Sequence, residues 1–549
     1  MSRMGTEDRL VQQELERKRK RDAKKAQRTQ KSQKAKKSSK SLNTSGDADN
    51  YPMKNDQGNP KTNDKQLQKE QRKKKIEEKK KNNELIRSTM FFGVLFLAMI
   101  GYYVYFLSTD AKHIVNNSYN KRIANYANTI VRGKIMTSDD ECIAYTDTKS
   151  DGEEVRVYSY NELFSHIVGI NSLERGKTGL EKSCDYYLLT SNINPILKAV
   201  YEFKEQKCLG NDVYTTLDTK VQKSAYDALG NNDGAVVVMN SDTGEILAMV
   251  SKPDYNPNEL DDIWKQIDKE EADGDESSEK GSFLLNRATQ GKYIPGSIFK
   301  MFTTLEYLRQ NDYKDDFSFH CDGEEYNIKC YNGNVHGDET LTDAFAYSCN
   351  GAFATIGHDL DMDKMNEDMN KLLFNSELPL DFEYSKSKFS VDNNSSEFDK
   401  TQTAIGQGFT TVTPIHMAMV VQAIANDGMM MKPFIISEIK GYDGKTLEKN
   451  EPKEHKRMLT KKESSMLQGY MNAVVDYGTA RNLNSELYEC GGKTGTAQID
   501  KNNNVNSWFV GYAKNGDKNI TISVCVENVQ DGTVKAVDCV KKILDEYYK

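Results

Sequence analysis

Apolar side chains are nearly missing from residues 1–85, which are dominated by Lys, Gln, Ser, Asn and Asp. Such a stretch cannot bury enough surface to offset chain entropy. A packed domain is therefore excluded there, and a disordered or transiently helical tail is expected. Long uncharged runs are equally scarce. The clearest is "TMFFGVLFLAMIGYYVYFL" at 89–107, which limits membrane attachment to a single pass. No internal repeat is visible. The nine cysteines are odd in number and scattered, so they cannot all pair within one chain. Two Gly-Lys-Thr triplets occur, but neither is a phosphate-binding loop. The glycine required five residues earlier is Asn171 in one case and Leu487 in the other.

At 549 residues the chain exceeds what one compact core supports, so several domains are expected. Its mild acidity hides a split. Residues 1–89 hold 27 Lys and Arg against 13 Asp and Glu, and the remainder holds 48 against 69. The two parts therefore face different surroundings. The apolar run at their border is long enough to cross a hydrocarbon core of about 30 Å. Core helices of soluble proteins rarely run this long without a polar face. The run also starts too far from the N-terminus for a cleaved signal peptide. Tyr102, Tyr103 and Tyr105 lie toward its distal end, as interfacial aromatics do. A basic flank, "QRKKKIEEKKKNNELIR", precedes it and only Lys112 follows closely. The N-terminus is thus expected in the cytoplasm, with everything after about residue 108 outside. Beside a span, "ERKRKRDAKKAQR" reads as a solvated tail near anionic lipid rather than as a nucleic-acid-binding segment.

Four domains follow: a disordered basic tail at 1–85, a transmembrane helix at 86–107, a small mixed domain at 108–212, and a larger one at 213–549. In the last, "VYTTLDTKVQKSAYDAL" reads as a strand leading to an amphipathic helix. "GAVVVMNSDTGEILAMVS" reads as a hairpin turning at Asp242-Thr243-Gly244. The acidic run "DKEEADGDESSEKG" reads as an exposed loop. "SIFKMFTTLEYLRQ" and "TPIHMAMVVQAIAN" read as helices. "CGGKTGTAQ", "SWFVGYAK" and "ITISVCVENV" read as consecutive strands, and "VDCVKKILDEYY" as a closing helix. Strands at both ends with helices between predict an α+β domain. It has one antiparallel sheet, its first and last strands adjacent, covered by helices.

"GKYIPGSIFKMFTT" places Ser297 three residues before Lys300, after Pro295-Gly296 and at the start of an apolar helix. Helical spacing puts both on one face, about 5–6 Å apart at Cβ. The plain reading is a capping serine and a solvated lysine; the other is a nucleophile beside its base. Ser277/Lys280 and Ser385/Lys388 repeat the spacing in charged, loop-like sequence. "YSCNGAF" adds Ser348-Cys349-Asn350, and "GGKTGTAQ" adds Lys493-Thr494-Gly495-Thr496. Ser118-Tyr119-Asn120 and Lys177-Thr178-Gly179 duplicate these triplets, but order and context select one set. "HCDGEEYNIKCYNGNVH" (His320, Cys321, Cys330, His336) briefly suggests a metal site, yet its Cys–Cys spacing is too long for a zinc knuckle. A local disulfide or free thiols fit better. His336, His416 and Cys349 lie near the motifs and read as structural. The strand Trp508–Tyr512 reads as core beside the active-site strand.

Those motifs, with "DGAVVVMNSDTGEILAMVSKPDYNPN", "AIGQGFTTVTPIHMA" and "SWFVGYA", resemble the penicillin-binding protein and serine β-lactamase superfamily over about residues 213–549. "VRGKI" and "GKTGLEKSCDYYL" are similar to the non-catalytic, membrane-proximal domain of the class B, monofunctional type. The roughly 105 residues there are too few for a glycan-polymerising domain. The resemblance departs at "MTSDDE" after "RGKI", and no accessory repeats follow the last helix. It implies a membrane-anchored peptidoglycan D,D-transpeptidase, acylated on Ser297 by stem peptides and by β-lactams, with no metal or other cofactor. Lys300 is implied as the base, Ser348 as a proton relay and Lys493 as a positive charge. Asn350 and the hydroxyls of Thr494 and Thr496 are implied to hold substrate, and Gly495 to let the strand approach it. The Ser297 and Thr496 N–H groups are implied as the oxyanion hole. A membrane glycan polymerase is the implied partner. D,D-carboxypeptidation, β-lactam hydrolysis or a catalytically idle scaffold of cell-wall synthesis remain the alternatives.

Overall fold

The computed structural model describes residues 61–109, 128–150, 152–172, 175–265, 282–499 and 504–549. The expected tail up to residue 60 and the acidic loop at 268–281 lie outside them. Helix α1 (Lys61–Thr109) runs unbroken for 49 residues. It begins within the segment expected to be disordered or transiently helical, upstream of residue 86. Lys, Glu and Gln are strong helix formers. Glu70/Lys74 and Glu77/Lys81 have the favourable order for i,i+4 pairs. The Leu67–Phe106 part is long and apolar enough to cross a membrane, and none of its apolar window is buried against protein.

The remainder is a second compact unit. Its N-terminal part contributes β1 (Ile135–Met136), β2 (Cys142–Thr148), β3 (Glu154–Tyr158) and β4 (Asp212–Thr215) to one sheet. Asp218 then caps α2 (Thr219–Leu229), accepting the N–H groups of Lys220 and Val221. The hairpin β5 (Gly234–Asn240) and β6 (Ile246–Lys252) turns where predicted, with Gly244 at φ +80°. Helices α3 (Lys300–Gln310), α4 (Leu341–Ala346), α5 (Asn350–Asp359) and α6 (Pro414–Ala425) follow. Next come β7 (Ile436–Lys440), β8 (Thr446–Lys449) and α7 (Lys461–Asp476). Helix α7 opens on a Thr460/Glu463 capping box. Strands β9 (Glu489–Gln498), β10 (Asn504–Asn515) and β11 (Lys518–Gln530) and helix α8 (Ala536–Tyr547) complete the fold.

The central sheet has the order β6-β5-β11-β10-β9 and is antiparallel throughout. The first and last strands of this sheet along the chain, β5 and β11, are neighbours, as predicted. Six of the seven residues of β5 are buried, so both faces of the sheet are covered. Helices α2 and α8 pack on each other and on the sheet, and α6, buried almost all round, packs on β5, β10 and β11. Strand β9 is left at the edge.

A second sheet, β8-β7-β4-β1-β2-β3, crosses the expected boundary at 212/213. That boundary falls inside β4, which pairs with β1 on one side and β7 on the other. Val213 and Thr215 are fully buried in it. Behind it lies a buried ionic cluster. Arg132 and Arg156 donate to the Glu181 carboxylate at 2.6 and 2.7 Å. Arg132 also pairs with Asp185, as does Lys177 at 2.5 Å. The Lys177-Thr178-Gly179 triplet thus serves packing: Lys177 is an ion-pair partner, Thr178 Oγ1 accepts the Ile170 N–H at 3.0 Å, and Gly179 sits at φ +54°.

Candidate active site

Gly296–Phe299 forms a 3₁₀ turn, and α3 begins only at Lys300. In a 3₁₀ turn residues i and i+3 eclipse, so Ser297 and Lys300 still share a side. Ser297 is half-buried and Lys300 completely buried. The apolar residues after the serine hold the turn in place: Phe299 and Phe302 pack with Phe374 and Phe389, ring centroids 5.1–6.4 Å apart. Gly296 is required twice. Its φ is +56°, and a Cβ there would stand 2.8 Å from the Thr496 carbonyl oxygen. The serine turn therefore abuts β9 at Thr496.

Lys300 reaches across to the second motif. Its Nζ donates to the Ser348 carbonyl at 2.7 Å, to Ser348 Oγ at 3.2 Å and to Asn350 Oδ1 at 2.7 Å. Ser348 lies between α4 and α5 at φ +61°, a conformation uncommon outside glycine. Asn350 Nδ2 donates to the Lys329 carbonyl at 2.8 Å, which fixes the amide. Lys493, also completely buried, lies on β9; its Nζ donates to the Thr494 carbonyl at 3.2 Å. Thr494 is half-buried and Thr496 exposed.

Burial brings the Lys300 amine down to about 8. Lys493 is held further below its usual range, by burial first and by repulsion from Lys300 second. The motifs imply a neutral Lys300 beside a charged Lys493; in the fold the deeper depression falls on Lys493. Lys300 keeps three acceptors, whereas Lys493 has one long carbonyl contact.

Gly495 also has a different reason from the expected one. A Cβ there would stand 3.0 Å from Ile298 Cγ2 and 3.1 Å from the Pro295 carbonyl oxygen and from Trp508 Cβ. The serine turn and the core occupy that space. Trp508 is buried as expected, donating to the Ile294 carbonyl at 3.2 Å. Buried His416 lies 2.7 Å from Ser387 Oγ through Nδ1 and 2.8 Å from the Leu372 carbonyl through Nε2, a structural arrangement.

Sequence reasoning missed Thr479, whose Oγ1 lies 2.6 Å from Thr494 Oγ1 and whose N–H donates to the Ala346 carbonyl. It also missed the rings facing the two amines, Phe353 under Lys300 and Phe345 under Lys493. Tyr347 and Tyr477, both exposed, stand with centroids 5.8 Å apart beside Ser348 and Thr479 in the chain. The two thiols expected to pair or stay free are free, and they do not stand alone: Cys349 and His336 join Cys321 and Cys330, all four donor atoms within 4.8 Å of one another.

A buried lysine joining a serine turn to a Ser-x-Asn loop, with the turn set against an edge strand, is an arrangement that can carry acyl transfer. The family model of the penicillin binding protein transpeptidase domain matches residues 234–545. The chain belongs to this family. A second model, the penicillin binding protein A dimerisation domain, matches residues 132–213 of this penicillin-binding protein. The peptidoglycan D,D-transpeptidase PbpA of Mycolicibacterium smegmatis is 29% identical over 424 residues, 73% of this chain and 84% of the relative. The peptidoglycan D,D-transpeptidase MrdA of Acinetobacter baumannii is 27% identical over 467 residues, 73% of this chain and 67% of the relative. Among solved structures, the D,D-transpeptidase domain of a peptidoglycan glycosyltransferase from Eggerthella lenta superposes with a TM-score of 0.66 at 28% identity. It covers 76% of this penicillin-binding protein and 97% of that chain. The imipenem acyl-enzyme of penicillin-binding protein A from M. tuberculosis shares the fold at 23% identity, TM-score 0.67, covering 77% and 100%.

Proposed function

We propose that this penicillin-binding protein is a membrane-anchored serine D,D-transpeptidase that cross-links peptidoglycan stem peptides and is blocked when β-lactams acylate the same serine. The observation that carries the residue roles is Lys300, buried and bonded to Ser348 and Asn350 one 3₁₀ turn from Ser297. The donor peptide lies along β9, whose free edge offers main-chain hydrogen bonds to an extended chain. Its terminal carboxylate sits at Lys493, Thr494 and Thr496. A carboxylate there favours the charged form of Lys493, and repulsion then favours neutral Lys300. Substrate binding thus moves the site's positive charge away from the base.

Neutral Lys300 removes the Ser297 Oγ proton as Oγ bonds to the scissile carbonyl carbon. The oxyanion is held by the N–H groups of Ser297 and Thr496, donors of a kind worth about 3–4 kcal/mol each. The C–N bond to the terminal D-alanine breaks, and the proton passes from Lys300 through Ser348 to the leaving amine. An acceptor amine then attacks the acyl-enzyme, gives up a proton by the same relay, and restores the Ser297 hydroxyl. The N-terminus is cytoplasmic and the catalytic region faces the wall, as the basic flank of the span implies. A membrane glycan polymerase supplies the strands to be joined.

The test is to incubate membranes holding the full chain with fluorescent penicillin. Stable label on the wild type and none on Ser297→Ala is expected. An unlabelled wild type would point to the scaffold reading, and rapidly lost label to a β-lactamase.

A further inference from the structure

Helix Pro195–Phe203 turns its apolar stripe outward. Its sequence, "PILKAVYEF", repeats apolar side chains at Ile196, Ala199, Val200 and Phe203, the spacing that gathers them on one face. Asn194 caps it, with Oδ1 accepting the Ile196 N–H at 2.8 Å, and Pro195 opens it. In a soluble domain such a stripe faces the core. Here none of the nine residues is buried. Ile196 is 78% exposed and Phe203 90%. The helix is held to the protein from its flank instead, by half-buried Tyr201, which packs on Ile130, Ile193 and Cys208. Helical spacing sets Lys198 and Glu202 on the side away from the stripe.

An outward apolar face of this kind marks a contact surface. Its position along the chain bears on what meets it. Just after the helix, strand Cys208–Leu209 pairs in parallel with Ile130–Val131. The helix is thereby tied to residue 130, and only residues 110–129 separate that point from the end of α1 at Thr109. Those 20 residues reach at most about 70 Å. A span in the bilayer therefore keeps the helix within reach of lipid, at an effective concentration on the order of millimolar. The size of the stripe points the same way. Four side chains on a nine-residue helix fall short of the about 800 Å² per partner of a stable protein interface. A lipid surface demands no matching shape, and weak insertion suffices where a span already holds the chain. The composition fits as well: Ile, Val and Phe on one face, Lys198 on the other and Lys204 just past the end are the makings of an interfacial helix.

We propose that helix Pro195–Phe203 lies in the surface of the lipid bilayer, with Ile196, Ala199, Val200 and Phe203 inserted at the boundary between headgroups and acyl chains. The inference rests on the membrane-anchored reading above and adds a second attachment point to it. Tyr201 couples the inserted helix to the strand pair, so the contact restrains the tilt of the catalytic region on the bilayer.

The full chain is reconstituted singly in nanodiscs of phosphatidylcholine and phosphatidylglycerol, with or without bromine on the acyl chains near the headgroup. Phe203→Trp adds an indole to Trp264 and Trp508, so the emission difference from the wild type reports position 203. That difference is expected to be quenched at least twofold by brominated lipid and to be at least twofold less sensitive to aqueous iodide than free tryptophan. No quenching by brominated lipid overturns the proposal. Shielding from iodide without such quenching overturns it too, and assigns the face to protein, whether residues 110–129 or a second copy at higher chain density. Retention of the wild type in membranes after alkaline extraction tests the span by itself, and fluorescent-penicillin labelling tests the transpeptidase reading. Failure of either is thus distinguishable from failure of the helix contact.

Discussion

At the scale of single residues, the chemistry turns on where one proton sits between two buried amines. The Lys300 amine is brought down to about 8, because burial disfavours its charge. Only the neutral amine can act as base, so acylation of Ser297 by a β-lactam is expected to rise with pH up to about 8 and then level off. Second-order labelling rates from pH 6 to 9 check this. A flat profile would remove Lys300 from the role of base. Replacing it, Lys300→Ala, is expected to slow acylation by about 10²–10⁴-fold, with far-ultraviolet dichroism confirming that the fold survives. Ser297, Lys300, Ser348, Asn350 and Lys493 could be proposed as a set from sequence because acyl transfer of the proposed kind needs fixed residue types at fixed short spacings, and the fold brings Lys300 to Ser348 and Asn350. Thr479 could not, since nothing local ties it to Thr494; only the packing of residues 478–480 against Ala346 brings it there. The order of the two lysine pKa values was equally hidden, because it depends on how deeply the fold buries each amine and on the charges it sets around them.

At the scale of elements, the serine turn is held by its neighbours rather than by its own hydrogen bonds. Phe299 stacks into a four-ring cluster, and its truncation to Ala is expected to cost about 3–5 kcal/mol of stability, measurable as a lowered thermal midpoint. Gly296→Val places a side chain against the Thr496 carbonyl at a left-handed φ. Penicillin labelling is expected to fall sharply in that variant while the folded state persists. The hairpin β5–β6, the strands β9–β11 and helices α6 and α8 were legible because their apolar periodicity and turn residues are local signals. The reason for Gly495 was not, since the obstruction comes from Ile298 and Pro295, distant in sequence. The cluster of Cys321, Cys330, His336 and Cys349 escaped for the same reason: its members meet only in the fold, and Cys349 sits inside the Ser-x-Asn triplet.

At the scale of the whole molecule, the regions before and after residue 212 share a sheet, which no local signal in the sequence there reveals. Strand β4 joins β1 to β7, so a chain starting at residue 216 exposes the edge of β7. It is expected to be poorly soluble or to unfold at lower temperature than one starting near residue 128. The buried cluster around Glu181 supports the same sheet. Glu181→Ala leaves Arg156 without a carboxylate and Arg132 with Asp185 alone, a loss of about 3–5 kcal/mol. On the proposed reading, this architecture delivers the Ser297 hydroxyl to a peptide on β9. The most direct measurement is mass spectrometry of the purified chain after exposure to a β-lactam, followed by peptide mapping. A single stable adduct on Ser297 is expected; an adduct on another residue, or an unmodified chain, would contradict the assignment.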